Sequence, residues 1–204
     1  SLQHEVLHGH PFKNRHLNEA LVFLPLGIFV PFRRFKDTHI QHHTDENLTD
    51  PYDDPETNFC DPIAWGKINF FHRAILTFNN TLFGRMLIGP VIGLLRFYRD
   101  DMKLIIAGNF SVVFAYVLHM TGLAIVFWWV WSVSSLPVWM WFVASYAALS
   151  ILKIRTFLEH RAHSDTEKRT VIIDDRGFLA LLFLNNNFHA LHHAKPKLAW
   201  YKIP

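Results

Sequence analysis

Cysteine is nearly absent from this chain of 204 residues: Cys60 stands alone. That excludes a disulfide framework, a CxxC redox site and a four-cysteine metal module, so any metal is held through nitrogen and oxygen. Charge is missing over one long stretch, since the 49 residues between Lys103 and Lys153 include no Asp, Glu, Lys or Arg. A strong net charge is lacking too. The formal value is +3 and the sequence pI about 9.1, too small an excess to suggest a nucleic-acid partner. There is no initiator Met and no signal peptide. The chain opens almost at once on a polar, histidine-rich stretch and stops at Ile203-Pro204. It is therefore expected to be a fragment of a longer chain that lacks at least an upstream segment.

What is present is apolar and aromatic. Half of the residues are hydrophobic and 15% are aromatic. A spanning helix needs about 20 apolar residues, so the uncharged stretch has room for two helices and a turn. The expected hairpin covers residues 104–153, with arms at 104–131 and 136–153 and a turn from Ser132 to Pro137. Trp128, Trp129, Trp131, Trp139 and Trp141 flank the turn as an interfacial aromatic belt. Arg96, Arg99, Lys103, Lys153 and Arg155 lie at the outer ends, and this basic bias makes that side cytoplasmic. Residues 20–31 are apolar but too short to span and contain Pro25 and Gly27, which suits an interfacial or re-entrant segment. From Ile68 to Tyr98 a basic amphipathic pattern fits a helix on the membrane surface. Phe178–Leu184 reads as a buried turn of helix. The fold class is all-α: a membrane hairpin with a cytoplasmic helical cap, in one domain covering 1–204.

The cap carries most of the 14 histidines. On a helix, His39, His42 and His43 stand at i, i+3 and i+4, so three imidazoles share one face and are expected to converge on a point. His189, His192 and His193 repeat the pattern, and His4 and His8 stand at i, i+4. Imidazole is the commonest neutral ligand for iron, zinc and copper. Eight imidazoles are too many for one metal and suit two, which beside a membrane points to iron, dioxygen and a lipid-like substrate. Taken alone, His4-Glu5-Val6-Leu7-His8 also matches the zinc-protease helix H-E-x-x-H, but that reading leaves the other two clusters unexplained. Glu5, Asp45, Glu46 and Glu159 are candidates to orient the rings.

The three boxes in order, H-x₃-H, H-x-x-H-H and H-x-x-H-H, resemble those of the membrane fatty acid desaturase and hydroxylase superfamily. So do His8-Gly9-His10-Pro11, the Asp53-Asp54-Pro55-Glu56 loop, and Asn187-Phe188-His189 running on to Pro196 and Trp200-Tyr201. The resemblance implies a di-iron centre, with dioxygen as co-substrate, that desaturates a fatty acyl chain. Hydroxylation or ketolation of an alkane, lipid or carotenoid is the alternative within the superfamily. It also implies four spans, of which one hairpin is visible, and a ninth histidine after the last span. His160 is the expected ninth ligand, ahead of His163. His10, His16 and His72 are expected to lie beside the ligands or on the surface, and His119 to be a packed or hydrogen-bonded helix residue.

Without a Cys₄, flavin or haem motif, electrons must come from an external donor, whether ferredoxin-like, rubredoxin-like or a b-type cytochrome. Arg33, Arg34, Lys36, Arg161, Lys168, Arg169, Lys195 and Lys197 are expected to form its basic docking face. The expected location is a bacterial cytoplasmic membrane.

Overall fold

The computed structural model describes residues 1–203 except 45 and 47, with the Thr44 side chain also outside the description. Helices joined by turns and irregular segments make up most of the described residues; α1 (Leu2–Leu7), α2 (Arg15–Leu21) and α3 (Phe32–Thr44) come first, and α1 and α3 bear histidines of the first two boxes. Asn14 caps α2 by accepting from His16 N–H (2.8 Å), the local preference that makes Asn a helix starter.

The surface helix expected over 68–98 is two helices. After the short α4 (Pro62–Lys67), Asn79 ends α5 (Phe70–Asn79) and Thr81 starts α6 (Leu82–Ile106), its Oγ1 accepting from Gly84 N–H (3.0 Å). The two meet at 115°. Gly84 is needed at that corner, because a Cβ there would fall 1.9 Å from Phe78 O. The bent pair would count as a third span only if both helices together crossed a bilayer.

Among the described residues, two helices are long and apolar enough to cross a membrane: α7 (Phe110–Val133) and α8 (Val138–Thr156). The first arm begins at Phe110 and not at residue 104. Residues 104–106 complete α6, and Gly108 at φ +83° turns the chain before Asn109 caps α7. The arms are not mainly each other's partners. α8 packs chiefly along α6, whereas α7 is shared among α3, α6 and α8. Val112, Ala115, Leu123 and Val126 of α7 are buried, while Phe110, Met120, Trp128, Trp131 and Trp139 face outward. So large an exposed apolar face suits hydrocarbon better than water.

The short apolar segment after α2 forms no helix, and its carbonyls are met by side chains of the long helices. His119 of α7 donates through Nε2 to Ile28 O (2.7 Å), Trp141 of α8 donates to Leu26 O (2.8 Å), and the Tyr98 hydroxyl of α6 donates to Phe29 O. Irregular backbone beside apolar helices persists only when its polar groups are satisfied in this way. His119 is thus a hydrogen-bonded helix residue. At Gly122 any Cβ would meet Phe23 O at 2.7 Å, which is how closely the segment lies on α7.

α3 is tied to the long helices by a buried ion pair. Arg34 donates through Nε and Nη2 to Asp101 Oδ1 of α6 (3.0 and 2.7 Å), and the Tyr116 hydroxyl of α7 donates to Asp101 Oδ2 (2.8 Å). After α8, the chain passes α9 (Phe178–Leu182), turns at Leu184 and Asn185 with positive φ, and enters α10 (His189–Ala194).

Candidate metal centre

The histidine boxes meet between α1, α3, α10 and the segment after α8. Nine imidazoles gather into two groups: His4, His8, His39, His43 and His192, and beside them His42, His160, His189 and His193. Within each group the ligand atoms lie within 4.8 Å of one another. The three rings of a box therefore do not converge on one point. Residues i and i+4 are about 40° apart around a helix, whereas the ring at i+3 is about 100° from that at i+4. Each box accordingly sends its outer pair to one group and its middle histidine to the other. His39 and His43 join the first group and His42 the second, while His189 and His193 join the second and His192 the first. The rings of His43 and His193, the last of each box, stack at 4.2 Å where the groups adjoin.

The ring nitrogens point inward. His43 Nε2 is 3.1 Å from His39 Nε2 and 3.0 Å from His192 Nε2. His160 Nε2 is 3.1 Å from His42 Nε2 and 3.0 Å from His189 Nε2, which is 3.0 Å from His193 Nε2. Carboxylates fix the opposite edge of several rings. His39 Nδ1–H donates to Glu56 Oε1 (2.8 Å) and His42 Nδ1–H to Asp54 Oδ1 (2.9 Å). His189 Nδ1 is 3.3 Å from Asn186 Oδ1 and 3.4 Å from Glu159 Oε1. An ionised carboxylate only accepts, so these rings carry their proton on Nδ1 and turn a lone pair inward. Lone pairs facing each other at 3.0 Å repel unless a cation lies between them. Two imidazoles at right angles on an ion, each bonded at roughly 2.1 Å, would place their nitrogens at about this separation. His4 Nε2 and His8 Nε2 are buried with no partner among the described residues. The donor set fits a metal ion in each group, and Asp54, Glu56 and Glu159 supply the negative charge that two divalent cations call for.

Proton affinities follow the same logic. Burial holds His8 at about 3 and His160 at about 4, and burial with like-charged neighbours holds His192 and His193 at about 2. These rings are neutral ligands at any physiological pH. Burial also opposes a charge on His42, but Asp54 outweighs it and moves this ring upward. A carboxylate behind a ring stabilises positive charge on it, whether a proton or a metal brings that charge. Burial disfavours the ionised form of Asp54 and Glu56, and their histidines more than compensate, so both are held below the usual carboxylate range.

His160 reaches its group without a continuing helix. α8 ends at Thr156, and His160 lies in an antiparallel bridge with Thr170. Arg155 Nε lies 2.9 Å from Glu159 Oε1, an ion pair without hydrogen-bond alignment. His163 stays outside both groups, exposed and accepting from Asp165 N–H (3.0 Å). His10 contacts Lys197 O (3.1 Å), and His16 and His72 are exposed. Glu46 is exposed in a turn, and Asp45 lies outside the described residues. The residues in those roles are Asp54, Glu56 and Asn186. Their signal was a carboxylate pair flanking Pro55, and an Asn three residues before His189. Glu5 faces away from the inward nitrogens: it is 3.8 Å from His4 Nδ1 and accepts from Trp200 N–H (3.2 Å). It is thus not placed as the base of a zinc protease. The expected basic face is partly consumed, since Arg34 is buried on Asp101, and Arg33 and Lys36 bind Glu19 at 2.9 and 3.6 Å.

Two adjoining nests of imidazole thus stand in a helical protein with helices long and apolar enough to cross a membrane. The family profile named Fatty acid desaturase matches residues 1–204, and the chain belongs to that family of membrane oxidoreductases. No curated protein and no solved structure gives a significant match.

Proposed function

We propose that the chain is a di-iron oxidoreductase that uses dioxygen to introduce a double bond into a fatty acyl chain. The observation that carries this reading is the division of nine imidazoles into groups of five and four in a chain matched end to end by the desaturase family. His4, His8, His39, His43 and His192 would hold one iron, and His42, His160, His189 and His193 the other. When bound, the pair of irons supplies activation of dioxygen sufficient to oxidise an unactivated C–H bond. The protein's own residues do the rest. Asp54, Glu56 and Glu159 hold ring tautomers and orientation. Burial of His39, His42, His189 and His192 keeps water from the rings, and the apolar faces of α7 and α8 keep the lipid beside them.

Desaturation removes two hydrogens and, with two electrons and two protons, reduces dioxygen to two waters. The electrons come from an external ferredoxin-like, rubredoxin-like or b-type cytochrome donor. Lys168 pairs with Asp165 at 3.0 Å, so Arg161, Lys195 and Lys197 remain as its basic contact face, on the cytoplasmic side of a bacterial membrane.

Mass spectrometry of lipids from a host expressing the full-length gene tests the reaction. A product short of two hydrogens, absent from the His160→Ala variant, supports desaturation. A product with one added oxygen assigns hydroxylation or ketolation instead, and no oxidised lipid contradicts both.

A further inference from the structure

The metal groups leave unexplained two cations where α6 and α8 pack together. Arg85 of α6 is only 5% exposed, and its one hydrogen bond among the described residues runs from Nε to Asn79 O (2.9 Å). The ring of Phe157 lies against its guanidinium at 5.6 Å. Lys153 of α8 has neither an ion pair nor a hydrogen bond among the described residues. The acids within its electrostatic range, Glu56 and Glu159, are engaged with His39 and with Arg155 and His189.

α6 is cut away at this place. Gly89 and Gly93 follow Arg85 at successive i+4 steps, on one stripe of the helix. A Cβ at Gly89 would press to 2.9 Å on Arg85 Cδ, and one at Gly93 would come within 3.9 Å of Lys153 Nζ. Asn79 Oδ1 and Thr156 Oγ1 are buried nearby without partners among the described residues. Folded proteins pair a buried cation, because an isolated one has lost its hydration for nothing. Here buried Arg85 is met from another helix by partly buried Lys153, and among the described residues no carboxylate stands at ion-pair distance from either.

We propose that this notch binds the anionic head group, a carboxylate or phosphate, of the lipid that the centre oxidises. A planar guanidinium and an ammonium together suit an oxyanion with several acceptor oxygens. Leu87, Val91, Leu95 and Ile151, exposed on the same two helices, give an alkyl chain somewhere to lie. Lys153 also shares its surroundings with Glu56 and Glu159, the acids behind His39 and His189, which puts the head group beside the centre. The proposal rests on the lipid-oxidising reading above.

Competition dialysis on the purified full chain in neutral detergent, with labelled palmitate as probe, tests it. Palmitate and hexadecyl phosphate are expected to bind, and methyl palmitate about tenfold more weakly. Arg85→Gln and Lys153→Gln should each weaken both anions about tenfold while leaving the ester and the metal content unchanged, and Lys153→Arg should restore binding. Equal affinity for acid and ester, or Gln variants that bind anions as well as the parent, would overturn the assignment. Displacement of palmitate by inorganic phosphate alone would give the notch to a free anion and overturn the head-group role. Binding is read without turnover, so the two readings fail separately. A chain that binds in this way but oxidises no lipid keeps the notch and loses the function, whereas one that oxidises lipid without preferring acids does the reverse.

Discussion

Replacing Asp54 by Asn should loosen one metal and spare its neighbour. Asp54 is 1% exposed and accepts three hydrogen bonds: His42 Nδ1–H (2.9 Å) and Glu56 N–H (2.8 Å) on Oδ1, and Thr49 N–H (2.9 Å) on Oδ2. Asn keeps one acceptor, so its NH₂ must face the Thr49 N–H. Losing that bond to a charged acceptor costs about 1.5–3 kcal/mol of stability. His42 also loses the charge behind its ring, and carboxylate partners of this kind are worth roughly 10–100-fold in metal affinity. Glu56 is only two residues away but serves His39, so Glu56→Gln should loosen the five-histidine group instead. The assay is iron per chain after dialysis against graded chelator, with His160→Ala as a marker that empties the four-histidine group. Asp54→Asn added to His160→Ala should release no more iron, while Glu56→Gln added to it should release the rest. If both acids empty the same group, the crossed wiring of the boxes is wrong.

Other outcomes follow from the same contacts. His160→Ala should lose about half of the bound iron and His163→Ala none; the reverse result in metal analysis would refute the site. The metal-free chain should weaken in acid. Unfolded, His8 and His160 take a proton as pH falls through about 6.5, whereas folded they stay neutral down to about 3 and about 4. Stability is therefore full above 6.5 and falls below it by roughly 1.4 kcal/mol per pH unit for each ring. A thermal midpoint that holds or rises from pH 7 to pH 5 would contradict this. Asp101→Asn takes the buried one of Arg34's two carboxylates, leaving Asp37 at 3.0 Å, and should cost about 1.5–3 kcal/mol, as for a hydrogen bond to a charged group, read as a lowered thermal midpoint; an unchanged midpoint would refute the strut between α3 and the long helices.

The sequence carried the site better than the fold. Eight histidines could be picked out from their i, i+3 and i+4 spacing and the ninth, His160, from the family resemblance, and all nine gather in the two groups. Their division was also present in the spacing, since 40° and 100° separations cannot share one ion, but it emerges only once a second helix faces the first. Asp54 and Glu56 were hidden for a different reason. They act from a loop, and no periodicity marks a loop carboxylate that reaches back 12 or 17 residues to a ring. The corner at Asn80-Thr81 was missed because the amphipathic pattern runs on through it. The partnership of α8 with α6 could not be read from apolar runs, which say that a helix seeks an apolar setting and not which neighbour it meets. The basic residues near α3 looked alike in sequence, and only the packed structure shows that Arg34 belongs to Asp101.

Metal stoichiometry of the purified full-length protein tests the central claim most directly. Elemental analysis together with X-ray absorption at the iron edge should find two irons per chain, each in a mainly imidazole shell, with Ala at His192 and at His160 each removing one. One zinc per chain, or metal that washes out on dialysis, would contradict the account.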